Sequence, residues 1–386
     1  MHPIRILCNT PTFNACGGIE RLFTNYLRHF GPQVQMDFVT HDMNDEVLKD
    51  EVKEFGSRVY VLPPFSGRNL PNTLGILRSF FRKHGSRYDI FHCNMANAAC
   101  FYFPFAKRAG ISARILHSHQ DKAADVPSHA LRNTPLIRAG VPMATDRAAC
   151  SRQAGDFLFP HRNYRIIPNA IDPERFAFDP RKREEFRRRY QLKDSVVIGN
   201  IGRLTEQKNQ EWLLEVLRIL YQEMHLDYQL VIVGEGHLLD ALMAKAASLS
   251  LERRVVFCGS LADVSGALSA MDVFALPSLY EGLGIVNVEA QASGLPVIAS
   301  DTVPEEAAMG DYYFPLPLAS PRVWARKIAA TSLLSEAERR DPIHRENIAA
   351  RGYDLRTAAA DLEEYYRSVL QSNPPRQSHR GMTASS

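Results

Sequence analysis

The stretch Val273-Phe274-Ala275-Leu276-Pro277-Ser278-Leu279-Tyr280-Glu281-Gly282-Leu283-Gly284-Ile285-Val286-Asn287-Val288-Glu289-Ala290 reads as a buried strand, a glycine-bearing turn and the start of a helix. The two glycines allow close backbone approach where the helix begins. Free N–H groups and the positive dipole end of such a helix favour an anion. A carboxylate stands on either side, Glu281 before the turn and Glu289 within the helix. At about 1.5 Å rise per residue the two are separated by at most roughly 12 Å. That spacing lets one carboxylate bind sugar hydroxyls and the other a ribose, with a diphosphate over the helix end between them. The same residues also fit an ordinary strand-loop-helix turn with two solvated glutamates, and the surrounding sequence has to decide.

Outward from this stretch, short β-rich runs alternate with helix-sized segments. In the second half the strands are Val196–Ile201, Tyr228–Val233, Val255–Cys258, Val273–Leu276 and Pro296–Ser300. In the first half they are Ile4–Cys8, Met36–Thr40, Val59–Leu62, Ile90–Cys93, Arg114–His117 and Ala144–Cys150, with helical spacing over Gly18–Phe30 and Leu74–Lys83. Strands alternating with helices predict parallel sheets covered on both faces. Two such sets in succession predict an α/β chain of two Rossmann-like domains, over residues 1–165 and 166–350. The junction is Ile166-Ile167-Pro168-Asn169-Ala170-Ile171-Asp172-Pro173, whose prolines and Asn make it extended and turn-like. A final amphipathic helix, within residues 351–372, is expected to pack back on the N-terminal domain. The polar tail 373–386 is expected to be disordered.

A second constellation is Ile198-Gly199-Asn200-Ile201-Gly202-Arg203-Leu204-Thr205-Glu206-Gln207-Lys208-Asn209. Arg203 and Lys208 follow a buried strand, and ligands of doubly wound sheets bind at the carboxyl ends of strands. Arg offers a planar fork of donors and Lys a point charge, which together suit a pyrophosphate. Taken alone, the pair also fits a surface ion pair.

The order Gly202-Arg203, Lys208, Val233-Gly234-Glu235-Gly236, Phe257-Cys258-Gly259, Asp272-Val273-Phe274, Pro277-Ser278, Glu281-x7-Glu289 and Gly294-Leu295-Pro296-Val297 resembles glycosyltransferase family 4. The resemblance covers nearly the whole chain, weakest over residues 41–90. It implies the GT-B fold, two facing Rossmann-like domains with the active site in the cleft between them. It implies that Glu289 accepts hydrogen bonds from the ribose and that Glu281 holds hydroxyls of the donor hexose. The backbone N–H groups of Gly282, Leu283, Gly284 and Ile285 would contact sugar and phosphate. Arg203 and Lys208 would neutralise the leaving diphosphate, the electrostatic part of catalysis. Two cations and a helix end need no metal, and the chain contains no Asp-x-Asp pair. The resemblance implies no resident cofactor, the nucleotide sugar being a co-substrate.

Gly234-Glu235-Gly236-His237-Leu238-Leu239 resembles half of a dinucleotide fingerprint, but Leu239 stands where its third glycine belongs. The family resemblance instead implies that the Gly234 loop lies near the nucleobase. In the N-terminal half, Gly17 and Gly18 open a helix after the first strand, another anion-friendly end that the family places over the donor phosphates. Along Ala113-Arg114-Ile115-Leu116-His117-Ser118-His119-Gln120-Asp121, His117 and His119 stand at i and i+2 and would share one face of a strand. A metal site lacks a third ligand of suitable spacing, and hydrogen bonds to loop backbone are another reading. The family has an active-site histidine after this strand, which aligns with His119, with His117 as competitor. An ordinary imidazole lets either exchange protons near neutrality.

Composition narrows the classes. The 386 residues are 45% hydrophobic and 23% charged, which excludes disordered, collagenous and disulfide-rich chains. The net charge of +3 does not point to nucleic acid, but it divides into +7 over residues 1–172 and −4 over the remainder. Six scattered cysteines, no apolar run of membrane-spanning length and no signal-peptide pattern predict a cytoplasmic protein. The basic, apolar segment Ile76–Arg87 would suit peripheral contact with an anionic membrane, or an ordinary surface helix with its apolar face in the core. The expectation is therefore a retaining, metal-independent hexosyltransferase. It would move a hexose or N-acetylhexosamine from a UDP-linked donor to a glycan or lipid-linked acceptor in surface polysaccharide or glycolipid biosynthesis. Epimerases, phosphorylases, nicotinamide oxidoreductases and non-catalytic sugar-nucleotide binders are the alternatives.

Overall fold

A computed structural model describes residues 3–13, 18–43, 46–67, 69–120, 123, 127–192 and 195–374. Gly17 and the 375–386 part of the tail lie outside the described residues. The chain forms two compact units. One comprises the residues up to Pro168 together with those from Ala358 on, the other Asn169–Thr357.

The first unit carries β1 (Ile4–Asn9), β2 (Val34–Thr40), β3 (Val59–Val61), β4 (Ile90–Cys93), β5 (Ala113–Ser118), β6 (Asp146–Ala149) and β7 (Arg165–Ile166). They form one sheet in the order β3-β2-β1-β4-β5-β6-β7, every neighbouring pair parallel. The second unit carries β8 (Val196–Ile201), β9 (Tyr228–Val233), β10 (Val255–Phe257), β11 (Val273–Leu276), β12 (Val297–Ser300) and β13 (Tyr313–Leu316). Its order is β10-β9-β8-β11-β12-β13, again all parallel. Both units are Rossmann-like, and the eleven strands expected from sequence are all present.

The continuous apolar strands follow from burial on both faces. Along β9, Leu230 and Ile232 join one core with Ile198, Val273, Ala275, Ile298 and Trp324. Val231 and Val233 join the opposite core with Val197, Phe274, Leu276 and Val297. Side chains alternate across a strand, so both faces call for apolar residues here. Two strands had no sequence signal. β7 is only two residues long, and β13 contains Pro315. Proline cannot donate to a ladder and is confined to sheet edges, which is where β13 lies.

The basic run Arg181–Arg189 is tied into the fold. In the helix Pro180–Arg189, Arg183 and Arg187 each donate to Asp272, at 2.7 Å, from successive turns. Asp272 also accepts the Val197 N–H at 2.8 Å, so one carboxylate ties this helix to the entry of β8 and β11. The helix Leu70–His84 buries Leu77, Phe80 and Phe81, which join the core of the first unit, and presents Arg78, Arg82 and Lys83 to solvent. Among the described residues no helix is long and apolar enough to cross a membrane. The helix Leu355–Ser372 begins at the end of the second unit, and its larger part belongs to the first.

Candidate active site

In the second unit the chain runs from β8 outward through β9 to β10, then returns to β11 on the other side of β8. β8 and β11 are therefore neighbours that diverge at their carboxyl ends, the place where doubly wound sheets bind ligands. The loops leaving these two strands are joined by side-chain amides. Gln207 Nε2 donates to the Tyr280 carbonyl at 3.0 Å, Asn209 Nδ2 to that of Pro277 at 3.2 Å, and the Leu279 N–H to that of Gln207 at 2.8 Å. Residues 68 to 73 positions apart are thereby fixed together. Lys208 Nζ lies 2.5 Å from Glu281 Oε1, which also accepts the Ser278 hydroxyl at 2.6 Å. Glu281 is only 6% exposed. The Lys208 stem runs over Gly202, where a Cβ would stand 3.2–3.4 Å from its Cε, Cδ and Cγ. Arg203 is exposed, with no side-chain partner among the described residues. Its carbonyl is held by Gln210 Nε2 at 3.0 Å.

The turn quoted at the outset has a defined shape. Gly284 caps the helix Ile285–Ala292 with a left-handed backbone (φ 67°), and a Cβ there would meet Asn287 Nδ2 at 2.9 Å. Glycine is required on both counts. Leu283 sends its side chain into the core, which leaves its main chain at the turn, while Gly282 and Ile285 are half-buried. Glu289 is half-buried one turn along the helix. The turn thus brings Glu281 against Lys208 of the β8 loop, the loop that also carries Arg203.

Gly234 and Gly236 have a packing reason independent of any dinucleotide. A Cβ on Gly234 would lie 2.0 Å from the Gly202 carbonyl oxygen, and one on Gly236 2.2 Å from that of Leu204. Leu204 N–H donates to the Glu235 carbonyl at 2.9 Å. The glycine loop is a bed for the segment that carries Arg203. Gly236→Ala is expected to displace that segment, costing about 1–3 kcal/mol of stability and, with Arg203 in the role the family resemblance implies, at least roughly tenfold in turnover, because small misplacements of such a group are costly. Chemical unfolding and initial rates on the same preparation test this, and wild-type turnover would contradict it.

In the first unit Gly18 begins the helix Gly18–Leu27 directly after the β1 loop. Here the structure adds a group that sequence reading missed. His92 of β4 and His117 of β5 face each other, Nε2 to Nδ1, at 3.1 Å, and His92 Nδ1 lies 3.0 Å from the Tyr366 hydroxyl. Both imidazoles are fully buried, and Phe23 packs edge-on against them. His119 stands at the end of β5, half-exposed, its ring centroid 4.0 Å from that of His117. Of the pair left open by sequence, His117 is sealed in the core and His119 lies at the surface of its unit. The signal for the cluster was a His inside the otherwise apolar strand Ile90–Cys93. Among the described residues no group of side chains is arranged to hold a metal ion.

Burial, and then the nearby His119, push His92 down to about 3. Burial, followed by His119 and His92, pushes His117 well below its ordinary range. Unfolding returns both to about 6.5, so the unfolded chain binds more protons below that pH and stability falls as pH drops. The loss continues down to the folded-state values. At pH 5 His92 alone removes about 2 kcal/mol relative to pH 7, and His117 adds to the loss. Urea unfolding at the two pH values measures this, and His92→Gln should make the slope shallower, with His117 and His119 keeping their share. Equal stability at both pH values would refute it.

Comparison with known proteins agrees with this architecture. The family model for Glycosyl transferases group 1 matches residues 182–347, and that for Glycosyltransferase Family 4 matches residues 16–175. The chain is 31% identical over 361 residues to EpsF of Bacillus subtilis, a protein assigned to the glycosyltransferases, covering 91% of this chain and 93% of EpsF. The chain belongs to glycosyltransferase family 4. It is also 37% identical over 212 residues to a GDP-mannose-dependent alpha-(1-6)-phosphatidylinositol monomannoside mannosyltransferase of Mycolicibacterium smegmatis, covering 51% of this chain and 54% of the relative. In fold it is similar to Anabaena HepE, solved in complex with UDP and glucose, with a TM-score of 0.77 at 19% identity over 95% of this chain and 100% of the other.

Proposed function

We propose that this glycosyltransferase transfers a hexose or N-acetylhexosamine from a UDP-linked donor to a glycan or lipid-linked acceptor, with retention of configuration. The observation that carries the reading is the ion pair of Lys208, on the β8 loop that also bears Arg203, with the buried Glu281 of the turn before Gly284, at the switch point of the second sheet. Arg203 and Lys208 neutralise the diphosphate as it leaves, and the first N–H groups of the helix Ile285–Ala292 add to that stabilisation. Glu281 accepts from donor-sugar hydroxyls, and Glu289 from the ribose. The departing phosphate takes the proton of the acceptor hydroxyl that attacks from the same face. The family resemblance assigns His119 to a hydroxyl of the sugar and Gly17 and Gly18 to the phosphates.

UDP as the nucleotide is favoured by the complexes of HepE. The mycobacterial relative uses GDP-mannose, which makes the competing nucleotide explicit. Because the cations are supplied by side chains, the reaction proceeds without a metal, and a chelator leaves the rate unchanged. We further propose a cytoplasmic enzyme that uses no resident cofactor. The test is incubation with a panel of UDP- and GDP-sugars and lipid-linked or free glycan acceptors, with products read by mass spectrometry and anomeric configuration by NMR. Turnover of a GDP-sugar alone would overturn the nucleotide. Inverted product would overturn retention, and interconversion of the donor without acceptor would indicate an epimerase.

A further inference from the structure

His119 is held by a side chain that fixes which of its nitrogens carries the proton. Its Nε2 lies 2.8 Å from Asn94 Oδ1. The other end of the Asn94 amide lies 2.8 Å from the main-chain carbonyl oxygen of Asn9 and 3.3 Å from Cys8 Sγ. A carbonyl oxygen only accepts, so the Asn94 atom facing it is the N–H₂ group. The atom facing His119 is therefore the amide oxygen, also an acceptor, and His119 Nε2 must be protonated. Burial pushes the imidazole down to about 3, which keeps it neutral at physiological pH. A neutral ring protonated at Nε2 has a bare Nδ1. That nitrogen has no partner among the described residues, and the ring is half-exposed at the end of β5.

We infer that Asn94 is a positioning residue that locks His119 in the Nε2–H tautomer, so that His119 meets its ligand only as a hydrogen-bond acceptor through Nδ1. The inference rests on the reading above, in which His119 faces a sugar. It adds the chemistry of the contact. The ligand group seated there is a hydroxyl that donates, and a carboxylate or phosphate oxygen is rejected by the lone pair. His119 therefore orients a neutral sugar, hydroxyl against nitrogen, and discriminates against a uronate at the same position. It does not serve as a proton donor.

The titratable side chains around His119 are His117 and His92 on the sheet, with Tyr366 beyond His92. Cys8 lies behind Asn94, and Glu20 acts on Cys8 from the helix Gly18–Leu27. Among these described neighbours, no carboxylate stands beside His119 to charge it.

The full chain labelled with ¹⁵N-histidine, with His119 assigned by difference from His119→Gln, is expected to show His119 as a single Nε2–H tautomer. It should not titrate between about pH 5 and 8. An Nδ1–H tautomer, or an imidazolium at neutral pH, overturns the inference. This spectrum needs no substrate, so it stands or falls separately from the glycosyl-transfer reading. Asn94→Asp supplies the kinetic arm, because a carboxylate at this place favours the imidazolium and turns Nδ1 into a donor. With the donor sugar that the wild type turns over, kcat/KM of the variant at pH 5.5 should fall about fourfold below its own value at pH 8.5, against an unchanged ratio for wild type. A merely structural defect lowers both pH values equally and overturns the positioning role. If Asn94→Asp does not fold, the wild-type spectrum still decides.

Discussion

Lys208→Met is expected to lower kcat by about 10²–10³, the loss seen when one preorganised group that stabilises transition-state charge is removed. The substitution has two separable effects. It deletes the cation that, in the proposed mechanism, meets the leaving diphosphate, and it strands the buried Glu281 carboxylate, whose remaining partner is the Ser278 hydroxyl at 2.6 Å. Leaving one member of a buried ion pair alone costs about 3–5 kcal/mol. Adding Glu281→Gln to Lys208→Met removes the stranded charge, so the double variant should recover most of the lost stability and none of the lost turnover. A thermodynamic cycle over the two single variants and the pair measures the coupling. Full turnover in Lys208→Met would displace this lysine from the reaction. Recovery of turnover in the double variant would show that the pair is structural.

Arg339→Met is expected to destabilise the protein by about 3–5 kcal/mol, enough to leave little folded protein at physiological temperature. Arg339 is 3% exposed, and all five of its N–H donors are used. Nε donates to the Ser293 carbonyl at 3.0 Å. The two terminal nitrogens donate to the carbonyls of Ser269, Met271 and Leu268 and to the Ser293 hydroxyl, at 2.8–3.1 Å. These carbonyls end two helices, Ser265–Ala270 and Ile285–Ala292, where a cation is favoured by the helix dipole. Phe178 covers the guanidinium at 4.2 Å. Burial, and then Arg183, push Arg339 down to about 9, which still leaves it charged at neutral pH. Methionine fills the volume but takes the guanidinium from the Leu268 and Ser293 carbonyls and leaves those of Ser269 and Met271 with Arg183 alone. Lysine restores the charge with three donors instead of five and should recover only part of the loss. Thermal unfolding of both variants measures the effect, and a wild-type midpoint for Arg339→Met would contradict it.

Much of the fold was readable because each strand is buried on both faces. The run Tyr228–Val233 can only be a central parallel strand, and its neighbours repeat the pattern. The strand containing Pro315 lacked that pattern because a sheet edge tolerates what the centre rejects. At the site, Glu281, Glu289, Arg203 and Lys208 could be singled out from spacing, since charged residues just after apolar strands are conspicuous. The residues that hold them could not. Gln207, Asn209 and Ser278 are ordinary loop residues until the register of β8 beside β11 is known. Arg339 lies in a polar, charged stretch, and nothing local marks it as a core residue. Asn94 and Tyr366 were silent for the same reason, because their partners stand far off in the chain.

The Tyr366 contact with His92 has a consequence for how the protein is made. A ribosome delivers the whole first sheet, then the entire second unit, before residues 358 onward emerge. Until then His92 lacks the hydroxyl beside its Nδ1, and the Gly31 N–H lacks the Glu363 carboxylate that accepts from it at 2.5 Å. The domain synthesised first is thus the one completed last, and its closing contacts span more than 270 residues. Such long-range closure is slow and leaves apolar surface waiting. Nascent chains arrested before residue 358 should accordingly remain sensitive to protease in their N-terminal half, while the intervening unit is already protected.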